Sequence, residues 1–91
     1  MYSIEFSHTA AKELENICKR DRNLFPRIIT AIESLKTNPL IGKKLKGKLQ
    51  GDYSLRVADY RIIYTIGKGK LNIYIIDVGH RRDIYKTGQR G

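Results

Sequence analysis

The chain has 91 residues, of which 18 are Lys or Arg and nine are Asp or Glu, so its formal net charge is +9 at neutral pH. A chain of this length holds one domain, residues 1–91, with a two-layer core, and a hydrophobic content of 41% excludes a disordered chain. The single cysteine, Cys18, excludes a disulfide framework, and the lack of a long apolar run or of a signal-peptide pattern predicts a cytoplasmic protein that does not bind a membrane.

The first forty residues have the pattern of a strand followed by two helices. Apolar and polar side chains alternate over residues 2–6, which predicts a short strand, and Ser7 or Thr9 can cap the helix that follows. A second helix is predicted to begin near residues 21–26 and to end at Asn38, which precedes a proline. The apolar residues at helical spacing in the two helices are Ala10, Leu14, Ile17, Cys18, Phe25, Ile28, Ile29, Ile32 and Leu35.

The second half has the pattern of a basic loop followed by three strands and a tail. Residues 39–52 contain three glycines and four lysines, which predicts a loop. Alternating apolar side chains then predict strands over residues 53–57, 60–66 and 71–78. The remaining residues, 80–91, are polar and basic.

Tight turns between these strands give a register that places two arginines side by side. In the first hairpin Arg56 faces Arg61, and two like charges so placed destabilise a sheet unless an anion lies between them. The second hairpin is predicted to pair Ile66 with Leu71. One face then collects the side chains that pack on the helices: Tyr53, Leu55, Val57, Ile62, Tyr64, Ile66, Leu71, Ile73 and Ile75. The other face carries Ser54, Arg56, Arg61, Ile63, Thr65, Asn72, Tyr74, Ile76 and Val78.

The positive charge is concentrated in the second half of the chain. Residues 1–42 carry six basic and five acidic side chains, a net charge of +1, whereas residues 43–91 carry twelve and four, a net charge of +8. This imbalance predicts a polyanionic partner, although an ordinary solvated surface stays an alternative for each basic residue. No metal site is expected, because neither His8 nor His80 has a carboxylate at ligand spacing.

Several segments of the chain resemble the RelE/ParE toxin superfamily. They read KG at residues 46–47, YSLRV at 53–57, DYRIIY at 59–64 and VGHRRDIY at 78–85, and their order and spacing are typical of the RelE branch. The resemblance covers nearly the whole chain. It implies an α+β fold in which two N-terminal helices pack on one face of a small, mainly antiparallel four-stranded sheet, in the order β-α-α-β-β-β plus a tail.

The resemblance also implies a function and its partners. A toxin of this branch cleaves mRNA in the ribosomal A site without a metal or another cofactor, and an acidic RelB-like antitoxin silences it. Arg61 and Arg81 match the family's phosphate-stabilising arginines, and Tyr85 matches its reactive tail tyrosine. Arg56 falls where relatives often carry a lysine, and His80 falls where either lysine or histidine occurs.

In the implied reaction, the 2′-hydroxyl of the RNA attacks the adjacent phosphorus, so positive charge and two proton transfers are needed. Arg61 and Arg81 are predicted to supply charge at the phosphoryl oxygens, and Arg56 at the attacking hydroxyl. His80 is the natural residue for proton transfer, because an imidazole accepts and donates protons near neutral pH, and Tyr85 can share that role. The residues predicted to hold ribosomal RNA by charge are Lys43, Lys44, Lys46, Lys48, Arg82 and Lys86.

Ser54 departs from the family pattern, because the RelE branch has a second lysine near this position. Three alternatives therefore stay open beside the ribosome-dependent nuclease. The chain could be a ParE-type toxin that inhibits DNA gyrase, a non-catalytic module that binds nucleic acid, or a toxin that lost its activity together with the lysine.

Overall fold

The computed structural model describes residues 1–45, 51–67 and 69–80. Two helices and five strands follow one another in these ranges: β1 Ser3–Phe6, α1 His8–Arg20, α2 Leu24–Ser34, β2 Lys43–Lys44, β3 Tyr53–Val57, β4 Tyr60–Ile66 and β5 Asn72–His80. The strands form one sheet in the order β1-β5-β4-β3-β2, in which β1 is parallel to β5 and the other neighbours are antiparallel. The predicted α+β fold is therefore confirmed, with a fifth strand at one edge of the sheet. Neither helix in the described ranges has the length and apolar character needed to cross a membrane.

Polar side chains fix the start of each helix. The Oγ atom of Ser7 accepts a hydrogen bond from the backbone N–H of Ala10 at 3.0 Å, so Ser7 is the N-cap of α1. The same hydroxyl donates to the carbonyl of Ile76 at 2.6 Å, which ties this end of α1 to β5. Before α2, the carboxylate of Asp21 accepts from the N–H of Leu24 at 3.0 Å. These bonds satisfy donors that a helix start would otherwise leave unpaired.

The helix boundaries and one buried position differ from the sequence prediction. The second helix ends at Ser34 rather than at Asn38, because the chain continues in tighter turns such as the bond from the N–H of Lys36 to the carbonyl of Glu33. Cys18 is exposed, although it was predicted to belong to the apolar stripe of α1. It follows Ile17 by one residue, so it points about 100° away from the buried stripe.

The core lies between the two helices and one face of the sheet, which we call the inner face. Its completely buried side chains come from both helices and from β4 and β5, so every described layer contributes to it. The residues with no more than 2% exposure are Ala10, Ile17, Ile28, Ile32, Leu35, Ile62, Tyr64, Ile73, Ile75 and Val78. Burial of this much apolar surface is the main stabilising contribution to the fold.

The first hairpin has the predicted register and the second does not. Arg56 pairs with Arg61 across a two-residue turn, and Ala58 in that turn has a positive φ of 54°. In the second hairpin Ile66 pairs with Ile73, and Leu71 stays in the turn with 64% exposure. The predicted pairing of Ile66 with Leu71 was therefore wrong by two residues, because the turn is longer on the β5 side.

A β-bulge changes the register again within the second hairpin. The irregularity lies between Ile63 and Tyr64, where β5 contributes one residue more than β4. Tyr64 pairs with Ile75, but Ile62 pairs with Val78. The bulge thereby turns Val78 to the inner face, where it is 2% exposed, so its predicted position on the opposite face was wrong.

A buried tyrosine holds the edge strand β2 in place. The hydroxyl of Tyr64 donates to the carbonyl of Pro39 at 2.7 Å and accepts from the N–H of Gly42 at 3.0 Å. Burial raises the pKa of Tyr64, which keeps this hydroxyl neutral. A Cβ atom on Gly42 would lie only 2.6 Å from the same hydroxyl, so the close approach requires glycine. Residues 43 and 44 therefore form a strand where the sequence pattern predicted a loop.

Candidate functional site

The candidate site lies on the face of the sheet that points away from the helices, which we call the outer face. Its first row crosses three strands and consists of Arg56, Arg61 and Gly79. Its second row crosses four strands and consists of Lys43, Ser54, Ile63 and Asp77. The rows are two residues apart along each strand, and side chains two residues apart point to the same side of a sheet.

The first row places two arginines at directly paired positions. Arg56 and Arg61 are directly paired, and the Cβ atoms of such a pair are roughly 5 Å apart. Arg56 is exposed and its Nε donates to the carbonyl of Ala58 at 2.9 Å, whereas Arg61 is half-buried. Two neighbouring cations repel each other, so the arrangement favours an anion between them, and paired guanidinium groups match the geometry of a phosphate.

Gly79 completes the first row beside this pair. It is the partner of Arg61 on β5, and it has no side chain that could cover the guanidinium group. In the part of the chain that the structure describes, no carboxylate forms a salt bridge with Arg56. The predicted pairing of Arg56 with Arg61 is therefore confirmed, and their joint contact with a phosphate stays a prediction.

Asp77 is the acidic side chain of the second row, but its environment disfavours the charged form. Burial raises the pKa of Asp77, and the nearby carboxylate of Glu13 adds to this effect. The Oδ1 atom of Asp77 accepts a hydrogen bond from the N–H of Val78 at 2.8 Å, which partly opposes the shift. The charged form of Asp77 is therefore less favourable in this position than it is in water.

His80 belongs to the next row, and the structure does not bring it onto the outer face. It pairs with Tyr60, and the two rings meet edge to face with centroids 5.8 Å apart. Tyr60 packs against the core, and side chains alternate along a strand. His80 thus lies on the inner side at the last residue of β5, and its role in proton transfer stays a prediction.

The structure separates the two lysines that were predicted to act together. Lys43 pairs with Ser54 and belongs to the outer face, whereas Lys44 pairs with Tyr53 and belongs to the inner face. Both side chains are exposed. The remaining predicted site residues lie outside the described residues, so their roles stay predictions: Lys46, Lys48, Arg81, Arg82, Tyr85 and Lys86.

The sequence pattern did not predict two features of the site. Ser54 is 5% exposed, and its Oγ has no hydrogen-bond partner among the described residues; its neighbours along the strand gave no sign of this burial. The position of Asp77 in the second row depends on the bulge, which alternation alone does not reveal. In the described ranges, no three His, Cys, Asp or Glu side chains lie close enough to hold a metal ion.

Comparisons with known proteins agree with this architecture. A family model described as the ParE toxin of the type II toxin–antitoxin system parDE matches residues 4–85. Toxin RelG of Mycobacterium tuberculosis is 34% identical in an alignment that covers 93% of this chain and 97% of RelG.

Solved structures of toxins from the same superfamily are also similar to this chain. The toxin–antitoxin complex RelBE2 of M. tuberculosis contains a chain that is 32% identical, with a TM-score of 0.67 over 88% of this chain and 98% of that one. The YoeB/ParE toxin from Agrobacterium tumefaciens shares the fold at 20% identity, with a TM-score of 0.77 over 86% of this chain and 96% of that one. The chain is therefore a RelE-type toxin of the RelE/ParE superfamily of type II toxin–antitoxin systems.

Proposed function

We propose that this toxin is a ribosome-dependent endoribonuclease that cleaves mRNA in the ribosomal A site. The observation that carries the proposal is the direct pairing of Arg56 with Arg61 on the outer face, beside Gly79. Two cations held side by side suit a phosphate that gains charge during the reaction. The similarity to RelG and to the toxin chain of RelBE2 supports the same function.

The reaction transfers a phosphoryl group within the RNA. A base takes the proton of the 2′-hydroxyl, and the resulting oxygen attacks the adjacent phosphorus. The bond from phosphorus to the 5′-oxygen breaks, and that oxygen receives a proton from an acid. The products are a 2′,3′-cyclic phosphate and a 5′-hydroxyl, so the reaction needs neither an oxidant nor a metal-bound water.

The described residues supply charge rather than proton transfer. Arg61 stabilises the phosphoryl oxygens, and Arg56 stabilises the oxygen of the attacking hydroxyl. Arg81 is proposed to add charge from the segment that follows β5. Tyr85 is the proposed proton-transfer residue, whereas His80 lies on the inner side of β5, away from the arginine pair. The ribosome orients the substrate, which explains how so small a site can act.

An antitoxin is the proposed protein partner. The solved structure of RelBE2 is a toxin–antitoxin complex, and a chain with a net charge of +9 favours an acidic partner. Such a partner silences the toxin by covering its cationic surface. The proposed partners are therefore an acidic RelB-like antitoxin, the ribosome and mRNA.

Primer extension on a reporter mRNA after induced expression tests the proposal. The wild type, Arg61→Gln, Arg81→Ala and Tyr85→Phe are compared with Arg27→Gln, an exposed arginine of α2 on the opposite layer. We expect new cuts within the translated region for the wild type and for Arg27→Gln. The cuts should be lost in Arg61→Gln, because one transition-state donor contributes roughly 100- to 1000-fold in rate.

The same experiment distinguishes the alternatives. The matching family model describes a ParE toxin, so growth arrest with intact mRNA would indicate gyrase inhibition, and a supercoiling assay would test it. Cuts that persist in Arg61→Gln would contradict the proposed site. Growth without arrest and without cuts would contradict the nuclease function and leave a binding module or an inactive toxin.

A further inference from the structure

The two edges of the sheet differ in how they are protected. The edge strand β2 has two residues, Lys43 and Lys44, and both side chains are exposed. Short strands and exposed lysines are common at sheet edges, because they oppose pairing with another chain. The opposite edge strand, β1, has four residues with a single charge, Glu5, and no strand of the described ranges pairs with its outer side. The edge at β1 is therefore open to a further strand.

Two residues of β1 direct their backbone groups to the open side. The N–H of Ser3 donates to the carbonyl of Leu71 at 2.8 Å, on the side of β5. Backbone groups point to alternate sides along a strand, so the N–H and C=O groups of Ile4 and Phe6 point away from β5. Two donors and two acceptors thus form a row to which an extended peptide can hydrogen-bond.

A small cavity lies next to this edge, between β1 and α2. Its volume is about 330 Å³, and Ile4, Phe6 and Ile32 are among its lining residues. The side chain of Phe6 is 41% exposed there. Glu33 and Lys36 also line the cavity, but they form a salt bridge with each other at 2.8 Å. A strand added beside β1 would place alternate side chains over this cavity, so apolar side chains suit it.

A second copy of this chain does not suit the open edge. If two β1 strands paired antiparallel through Ile4 and Phe6, the Glu5 side chains of the two copies would face each other, and like charges so placed destabilise a sheet. A register shifted by two residues would need the outward N–H of Tyr2, which already donates to the carbonyl of Lys36 at 3.0 Å. A shift in the other direction would meet the start of α1. The edge therefore favours a different polypeptide.

We infer that the open edge of β1 receives an extended segment of the antitoxin, which pairs with Ile4 and Phe6 as a sixth strand. The segment carries apolar side chains at alternate positions, over the cavity, and no acidic residue opposite Glu5. The strand β5 lies between this edge and the strands of the arginine pair, so the antitoxin can hold the edge with one segment and cover the cationic surface with another. The inference rests on the proposed function, because the antitoxin is the partner proposed there.

Amide hydrogen exchange followed by NMR tests the inference. It is measured on the full chain alone and in its complex with the acidic antitoxin encoded beside it. We expect the amides of Ile4 and Phe6 to exchange at least about tenfold more slowly in the complex than in the free toxin. The amides of Ser3 and Glu5 face β5 in both samples, so their exchange should change much less.

Phe6→Glu is the matched mutational test, because it places a charge beside the cavity. We expect this variant to bind the antitoxin at least about tenfold more weakly, as for an anchoring aromatic residue of an interface. Leu40→Glu is the control, since Leu40 is 66% exposed and precedes the other edge strand, and it should bind like the wild type. Thermal melting of the free variants checks folding, and Phe6→Ala replaces Phe6→Glu if the latter melts earlier.

Rapid exchange of Ile4 and Phe6 in a stable complex would overturn the inference, and so would equal weakening by the substitutions at Phe6 and Leu40. Protection of these amides in the free toxin that rises with its concentration would show self-pairing and contradict it, as would the absence of any complex. Failure of the nuclease is a separate result. A toxin that does not cleave mRNA on ribosomes refutes the nuclease, while exchange at Ile4 and Phe6 still decides how the antitoxin binds.

Discussion

The two faces of the sheet differ in composition: the inner face is apolar and buried, whereas the outer face carries two neighbouring arginines. On the inner face, Ile62, Tyr64 and Ile75 are completely buried, and the side-chain hydroxyl of Tyr64 has two hydrogen-bond partners. On the outer face, Arg56 and Arg61 are neighbours of like charge, and the hydroxyl of Ser54 has no described partner. The same strands supply both faces through alternating residues.

The difference separates the contributions to stability from those to function. The inner face satisfies each requirement of a folded core, namely close packing and paired polar groups. The outer face breaks two rules of sheet stability at adjacent positions, and sites that break such rules are often functional. Substitutions on the two faces should therefore affect different measurements.

The largest effect on stability is expected for Ile75→Ala. Ile75 is completely buried in the core, on the strand β5 that contacts α1, and truncation of such a side chain costs roughly 2–5 kcal/mol. Ile76→Ala is the matched control, because this neighbour at the bulge is only half-buried, and it should cost less than about 1.5 kcal/mol. Urea unfolding of both variants checks the comparison. Equal losses would contradict the assignment of Ile75 to the inner face.

A smaller effect is expected for Tyr64→Phe, which keeps the ring and removes the hydroxyl. The carbonyl of Pro39 and the N–H of Gly42 then lose their partner, at a cost of roughly 1–3 kcal/mol. Hydrogen exchange at the amides of β2 should accelerate as well. Tyr53→Phe is the control, since its ring only stacks on Tyr64 with centroids 5.3 Å apart. Unchanged exchange in Tyr64→Phe would refute the anchoring of β2.

The smallest effect on stability is expected for Asp77→Asn on the outer face, and this variant should be more stable than the wild type. Because burial raises the pKa of Asp77, the folded state holds its proton more tightly than the unfolded state, so the contribution of Asp77 to stability falls as the pH rises through that pKa. The variant should be more stable at pH 7 by less than about 1 kcal/mol, because the carboxyl is partly screened by solvent. The gain should vanish near pH 4, as thermal melts against pH would show. Asp59→Asn, in an exposed turn, should show no such trend.

Local patterns predicted the helices and the first hairpin, because the information lies within short stretches of chain. The spacing of Ile17, Ile28 and Ile32 indicates the buried stripes, and the turn at Ala58 sets the pairing of Arg56 with Arg61. The bulge was missed because Ile75 and Ile76 are both apolar, so alternation does not reveal which of them is the extra residue. The end of β5, and with it the row of His80, depends on that bulge.

The edge strand was missed for a different reason. Lys43 and Lys44 have no apolar alternation, and their strand exists because Tyr64, distant in sequence, holds the preceding segment. The burial of Ser54 likewise follows from tertiary packing rather than from its neighbours in sequence. The pairing of the two arginines was thus predictable, whereas the strand pairing that places Lys43 on the outer face required the structure.

The central claim is that the outer face carries the reaction and the inner face carries the fold. Arg61→Gln tests it most directly, because glutamine keeps part of the aliphatic stem and removes the charge. Single-turnover cleavage of mRNA on purified ribosomes and thermal melting are measured on the same preparation. We predict that the cleavage rate falls roughly 100-fold or more while the melting temperature changes far less than in Ile75→Ala. A variant that cleaves at the wild-type rate, or that loses cleavage only in proportion to unfolding, would contradict the claim.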